Sequence, residues 1–266
     1  MSEGQEKLSN AKKLWKEMRA SVSPFPKDVV DVRKPIPGTA FFPGGYGLWL
    51  GDESTVPDIP TGKIMIVGQD FNSVKKYDEA LLNRTEVDIS NTWHELLKIM
   101  KATGLPVNQC FFTNLYMGLR AEGSSETGPF PGAIGRKDKE LVELRAFKKR
   151  CVTFFNTQLK MAQPKLIMVL GMEPFRVLAK KPFNLSMPRD FEVPIQRKVT
   201  WGNINLKECN EIYRGVELVH GRTTIVLLTH PSYYKRNVKN RNYEGLSGEA
   251  AEKRMIADGL KAAFPD

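Results

Sequence analysis

The sequence predicts an α/β protein: a three-layer α/β/α sandwich around a mainly parallel central sheet. Two patterns carry this. Short apolar runs, continuous rather than alternating, recur at residues 64–67, 110–115, 166–170 and 224–229, as in strands buried on both faces of a parallel sheet. Several of the stretches between them place apolar residues three and four apart, and strands alternating with such helices build layered α/β folds. A chain of 266 residues is long enough for one well-buried domain of this kind and short for two large ones.

Taken in order, Leu8, Ala11, Trp15, Met18 and Val22 recur at helical spacing and mark an amphipathic helix that Pro24 and Pro26 end. Residues 31–60 are rich in proline and glycine, including Phe41-Phe42-Pro43-Gly44-Gly45-Tyr46-Gly47, and read as an extended arm. Residues 1–60 are thus expected to form a helix and arm packed on the core, with residues 61–266 as the domain that carries the site. After the strand at 64–67, an irregular polar stretch precedes a helix from about Asn91, with Trp93, Leu96, Leu97 and Met100 on its apolar face and Gly104 at its stop. Beyond the strand at 110–115, residues 118–135 hold five glycines and two prolines and read as a mobile loop over the site.

A long helix follows, with Leu141, Leu144, Phe147, Cys151, Phe155 and Leu159 at helical spacing and Lys148, Lys149 and Arg150 on its wet face. Pro164 separates it from the strand at 166–170, and residues 172–180 are helical again. Residues 183–221 alternate short extended runs with turns. The last helix begins near Ser247, a good N-cap residue with Glu249 in the first turn.

With 41% hydrophobic and 26% charged residues, the composition excludes a disordered chain, and the formal net charge of +10 points towards a polyanionic partner. Cys110, Cys151 and Cys209 are single and widely spaced, which supports neither a zinc site nor a disulfide framework and suggests a reducing compartment. No apolar signal core opens the chain and no run reaches bilayer length. A soluble monomer without a membrane partner is expected, cytoplasmic, or nuclear in a eukaryote.

The chemistry gathers at two strand ends. Residues 62–73 read Gly-Lys-Ile-Met-Ile-Val-Gly-Gln-Asp-Phe-Asn-Ser, a buried strand that delivers Asp70 beyond its carboxyl end, where ligands sit in parallel sheets. The strand at 224–229 stops on His230-Pro231-Ser232. Of three histidines (His94, His220, His230) only His230 follows such a strand, poised to donate a hydrogen bond or to act in acid/base chemistry. His94 and His220 read as structural or exposed residues. The loop from 231 to 243 holds Lys235, Arg236, Lys239 and Arg241, three tyrosines and no acid; cations contact phosphates and rings stack on bases.

Gly68-Gln69-Asp70 and His230-Pro231-Ser232 together resemble the first and last motifs of the uracil-DNA glycosylase superfamily. Two intermediate motifs fit in order: Phe112-Thr113-Asn114-Leu115 is similar to the strand whose asparagine reads the uracil edge, and the run from Leu166 to Gly171 to the family's strand-Gly-helix element. The resemblance implies the superfamily's α/β sandwich and a DNA partner containing a deaminated base. It assigns Asp70 to orienting or activating water and His230 to stabilising the leaving base. Gly68, Gln69, Phe71, Asn72 and Asn114 would bind the base, and Ser232, Tyr233, Tyr234, Lys235 and Arg236 the DNA, with Tyr234, four residues past the histidine, as the wedge. Some members hold an iron–sulfur cluster on four cysteines, which three scattered ones cannot supply, so no metal or cofactor is expected.

The sequence also departs from the family. Where uracil-specific members carry Pro-Tyr-His after the Asp, with the tyrosine blocking thymine's methyl, this chain has Phe71, Asn72 and Ser73, and no aromatic lies between Tyr77 and Trp93 to stack the base. Two readings therefore stand: a monofunctional DNA glycosylase acting on uracil or another deaminated base, and a non-catalytic nucleic-acid-binding protein that keeps the fold. A nucleotide-binding enzyme is weaker, because no Gly-x-Gly-x-x-Gly or Walker sequence follows a strand.

Overall fold

A computed structural model describes residues 8–36, 39–49, 56–83, 91–122, 130–131, 137–185 and 212–265 of the protein. A five-stranded sheet forms the middle layer. Its strands are β2 (Ile64–Gly68), β3 (Cys110–Asn114), β5 (Leu166–Leu170), β6 (Ile212–Leu218) and β7 (Gly221–Leu228), in the order β3-β2-β5-β7-β6. All neighbours run parallel except the edge strand β6, which pairs antiparallel with β7. The three-layer α/β sandwich with a mainly parallel sheet is therefore as expected. β2, β3 and β5 are buried at every position, which is why their sequences run apolar without alternation.

Successive side chains still go to opposite faces. Met65, Val67, Phe111, Ile167, Val169, Ile225 and Leu227 face a layer of α1 (Asn10–Val22), α4 (Asp138–Ala162) and α5 (Met172–Lys180), meeting Leu14, Met18, Phe147, Phe154 and Phe175. Ile64, Ile66, Phe112, Met168, Val226 and Leu228 face α2 (Val74–Asn83), α3 (Asn91–Thr103) and α7 (Gly248–Ala263), meeting Tyr77, Trp93, Leu96, Met255 and Ile256. Between the last strand and α7 the chain makes a 3₁₀ turn over Pro231–Tyr233, the short helix α6 (Tyr234–Asn237), a second 3₁₀ turn and the hairpin β8 (Asn242–Tyr243) and β9 (Leu246–Ser247).

The N-terminal part is tied down in detail. Ser9 caps α1, its hydroxyl accepting from the Lys12 amide at 3.4 Å. The end of α1 is held by Arg150, which donates to the carbonyls of Val22 and Pro24, so this member of the expected wet basic cluster is a structural clamp. The arm runs along β3: the Phe42 amide donates to the Phe112 carbonyl at 3.1 Å and the Phe112 amide to that of Gly47 at 2.8 Å, which covers a sheet edge that would otherwise offer unpaired groups.

Two expectations are corrected. The stretch after Asp70, expected to be irregular, holds α2, with Ser73 accepting from the Lys76 amide at its start; only Tyr77 and Ala80 are buried on it, too thin a stripe to give a periodic signal. The supposed loop from 118 begins with a strand, β4 (Leu119–Arg120), paired antiparallel with β1 (Val29–Val30). Residues 123–129 and 132–136 of that loop, and residues 186–211 with Cys209, lie outside the described part. Among the described residues no helix is long and apolar enough to cross a membrane, and no cluster of His, Cys, Asp and Glu could hold a metal ion. Cys110 and Cys151 are buried, and burial pushes both thiols up to about 12.

Candidate active site

Asp70 emerges two residues beyond β2, and His230 two residues beyond β7, with β5 lying between these strands. Both therefore sit at the carboxyl edge of the sheet, on strands separated by β5. Just beyond β5, Gly171 has φ of +86°, and a Cβ there would come within 3.1 Å of the His230 Cβ. Glycine at this position satisfies the left-handed backbone and leaves the histidine its space.

His230 is held as a neutral donor. The amide of Ser232 donates to its Nδ1 at 3.2 Å, so the proton of the neutral ring lies on Nε2. Crowding by the protein lowers its pKa below the ordinary 6.5, and the negative charge of Asp70 acts in the opposite direction. Immediately before it, Thr229 is clamped by a buried carboxylate: Glu252 Oε1 accepts from the Thr229 amide at 2.6 Å and Oε2 from its hydroxyl at 3.1 Å. Glu252 is in turn paired with Arg241, whose Nε donates to Oε2 at 2.7 Å and whose Nη2 donates to the Leu227 carbonyl at 2.9 Å.

Asp70 is held more tightly still. Arg120 donates from Nε to Oδ1 at 3.0 Å and from Nη2 to Oδ2 at 2.8 Å, a two-pronged pair with both side chains buried. The Asn72 amide adds a third bond to Oδ1 at 3.0 Å. Asn72 has φ of +107°, a conformation that costs a residue with a Cβ about 1–3 kcal/mol and is tolerated best by asparagine. It is fixed because its carbonyl accepts from the Arg120 amide at 2.9 Å and its Oδ1 from the Ser73 amide at 2.7 Å. The Arg120 guanidinium also lies over the Phe130 ring at 4.8 Å, and Phe130 meets Tyr116 edge-on. Burial, and after it charges including Glu173 and Asp70, push the Tyr116 hydroxyl pKa up.

The remaining residues expected at the site are distributed as follows. Gly68 and Asn114 are register partners at the ends of β2 and β3, and Gly68 lacks the Cβ that would strike Asn114 Oδ1. Asn114 Nδ2 donates to the Phe42 carbonyl at 3.0 Å, which ties the arm to the site. The Gln69 carbonyl accepts from the Tyr116 amide. The Phe71 ring is buried against Gly44 and edge-on to Tyr77. Ser232 is exposed and pairs with Thr92 of α3 at 2.5 Å. Tyr233 is 41% exposed with its ring 6.2 Å from that of His230. Lys235 and Arg236 are exposed, Lys235 lying 3.8 Å from Glu95.

Two expectations about this loop fail. Tyr234, expected to be the wedge, is 4% exposed, and its buried hydroxyl has no hydrogen-bond partner among the described residues. The 3₁₀ turn brings positions three apart to one side, so Pro231 and Tyr234 point into the core and Tyr233 out. Arg241, counted among the phosphate-facing cations, is fully buried on Glu252. His94 is exposed, and His220 pairs through Nε2 with the Pro164 carbonyl. Sequence reasoning missed Arg120, Glu252, Tyr116 and Phe130. The signal for the first two was available: a lone arginine closing the apolar stretch 111–119, and a lone glutamate on the stripe of Met255 and Ile256, are groups whose burial demands an opposite charge.

The α/β sheet thus presents a fixed carboxylate and a histidine donor at one carboxyl edge. The family model of the uracil DNA glycosylase superfamily matches residues 57–248, over two thirds of the chain, and the chain belongs to that superfamily. Glycosylase-like function and DNA as the partner come with that membership. No curated protein matches the sequence.

Proposed function

We propose that the protein is a monofunctional DNA glycosylase that hydrolyses the N-glycosidic bond of uracil or another deaminated base. The observation that carries this reading is the opposed pair at the strand ends: Asp70, fixed in place, and His230, neutral with its proton on Nε2. Breaking the bond leaves positive charge on the sugar and negative charge on the base. In the proposed step the C1′–N bond breaks with both electrons leaving on the base, His230 Nε2–H donates to the resulting anion, and Asp70 faces the sugar and orients the water. The water oxygen bonds to C1′ and loses a proton to solvent, and the base takes one up.

Asn114 is the proposed reader of the base edge, since an amide both donates and accepts, and the bond to Phe42 fixes its plane. The base must leave the stack to reach these groups. Tyr233 replaces Tyr234 as the ring offered to DNA, with Ser232, Lys235 and Arg236 beside it. Incubation with oligonucleotides bearing uracil, hypoxanthine, xanthine or mismatched thymine, followed by cleavage of abasic sites, tests the reading. The rival, a binding protein without hydrolysis, is favoured by one observation, that both Asp70 oxygens already accept from Arg120. Binding of these duplexes with no abasic product would establish the rival.

A further inference from the structure

We infer that Arg120 is a positioning residue of the reaction, acting through Asp70; the inference rests on the glycosylase reading. An aspartate at the mouth of a site normally has rotamer freedom, and here it has none. The planar guanidinium engages both carboxylate oxygens with side-chain exposures of 6% and 8%, a geometry that only arginine's fork provides. Arginine's own place is set from three directions: its amide donates to the Asn72 carbonyl, its strand pairs with Val29 of the N-terminal segment, and its guanidinium rests on Phe130. The fork thus transmits the position of the β1–β4 ribbon to the carboxylate.

The pairing also decides which job Asp70 performs. With Nε, Nη2 and the Asn72 amide all donating to it, the carboxylate is locked in one orientation, and its contribution is to hold water in line with the sugar. Arg120 contacts neither base nor sugar in this account. Its removal should therefore cost only what the misplacement of Asp70 costs.

The test is a cycle of single-turnover excision rates for wild type, Arg120→Met, Asp70→Asn and the double variant, with DNA affinity and melting temperature measured on each. Arg120→Met should slow excision about 100-fold, the scale of loss when a group near the chemistry shifts by ~1 Å, with DNA affinity changed less than about twofold, since its side chain is buried on Asp70 and phosphate contacts set most of the affinity. In the Asp70→Asn background the same substitution should slow excision less than about twofold, because residues that act as a unit are not additive. Guanidinium ion should restore part of the rate of Arg120→Ala and none of the Asp70→Asn deficit. If Arg120→Met does not fold, Arg120→Lys carries the test, since it keeps the charge without the fork and should still lose about 10-fold. Wild-type rate in Arg120→Met or Arg120→Lys, or full multiplicativity with Asp70→Asn, overturns the inference while leaving the glycosylase reading intact. A wild type that excises no base overturns both.

Discussion

Replacing Arg241 by Met should be among the most destabilising single changes in the loop that follows the histidine strand. Arg241 and Glu252 are both fully buried, and the guanidinium supplies a 2.7 Å bond to the carboxylate and a 2.9 Å bond to the Leu227 carbonyl. Methionine fills much of the same space, so the loss is electrostatic. Among the described residues the Glu252 carboxylate would keep its two bonds from Thr229, and stranding one partner of a buried pair costs about 3–5 kcal/mol. In a chain of this size each kcal/mol lowers the melting temperature by roughly 2–4 °C, so a drop of about 6–20 °C should appear by calorimetry or circular dichroism. Adding Glu252→Gln removes the stranded charge and keeps an acceptor for the Thr229 amide, and should recover about half of the loss or more. A melting temperature for Arg241→Met within about 2 °C of wild type would refute the claim that this pair clamps the end of β7.

The remaining predictions concern the histidine and the two tyrosines. In an NMR titration the His230 ring should protonate below its ordinary 6.5, because burial disfavours the cation, and Asp70→Asn should lower the midpoint further by removing the charge that opposes burial. The sign for stability follows: between the folded midpoint and 6.5 the unfolded chain binds the proton and the folded one does not. His230 therefore weakens the fold as pH falls through that window and has no such effect above it. Tyr234→Ala should cost about 3–5 kcal/mol as a core truncation, whereas Tyr234→Phe should be neutral or stabilising, since it removes a buried hydroxyl that has no partner among the described residues. Tyr233→Ala should leave the melting temperature unchanged and reduce excision from duplex more than from single strands, because only a duplex leaves a gap to fill.

The layered fold was legible because buried parallel strands write themselves as unbroken apolar runs, and the four runs at 64–67, 110–115, 166–170 and 224–229 are the four parallel strands of the sheet. The ends of those strands placed Asp70, Asn114 and His230 at one edge for the same reason. Direction within the following loop was not legible. Whether Tyr233 or Tyr234 faces out depends on a 3₁₀ turn with a three-residue period, where counting from the histidine alone cannot fix the phase. Helix α2 escaped because its buried face is two residues wide. Arg120 and Arg241 lay in plain sight as cations, but a cation's sequence neighbours do not reveal whether it meets solvent, a phosphate or a carboxylate 50 residues upstream such as Asp70, or 11 residues downstream such as Glu252.

The central claim, that the opposed pair at the sheet edge performs hydrolysis, is tested most directly by single-turnover excision of a deaminated base from duplex DNA by wild type and by Asp70→Asn, with binding measured on the same samples. The account predicts abasic product from wild type, a rate for Asp70→Asn lower by about 100-fold or more, and an affinity that the substitution leaves within about twofold, because the lost interaction acts in the transition state. Equal rates in the two proteins, or an equal absence of product alongside intact binding, would contradict it.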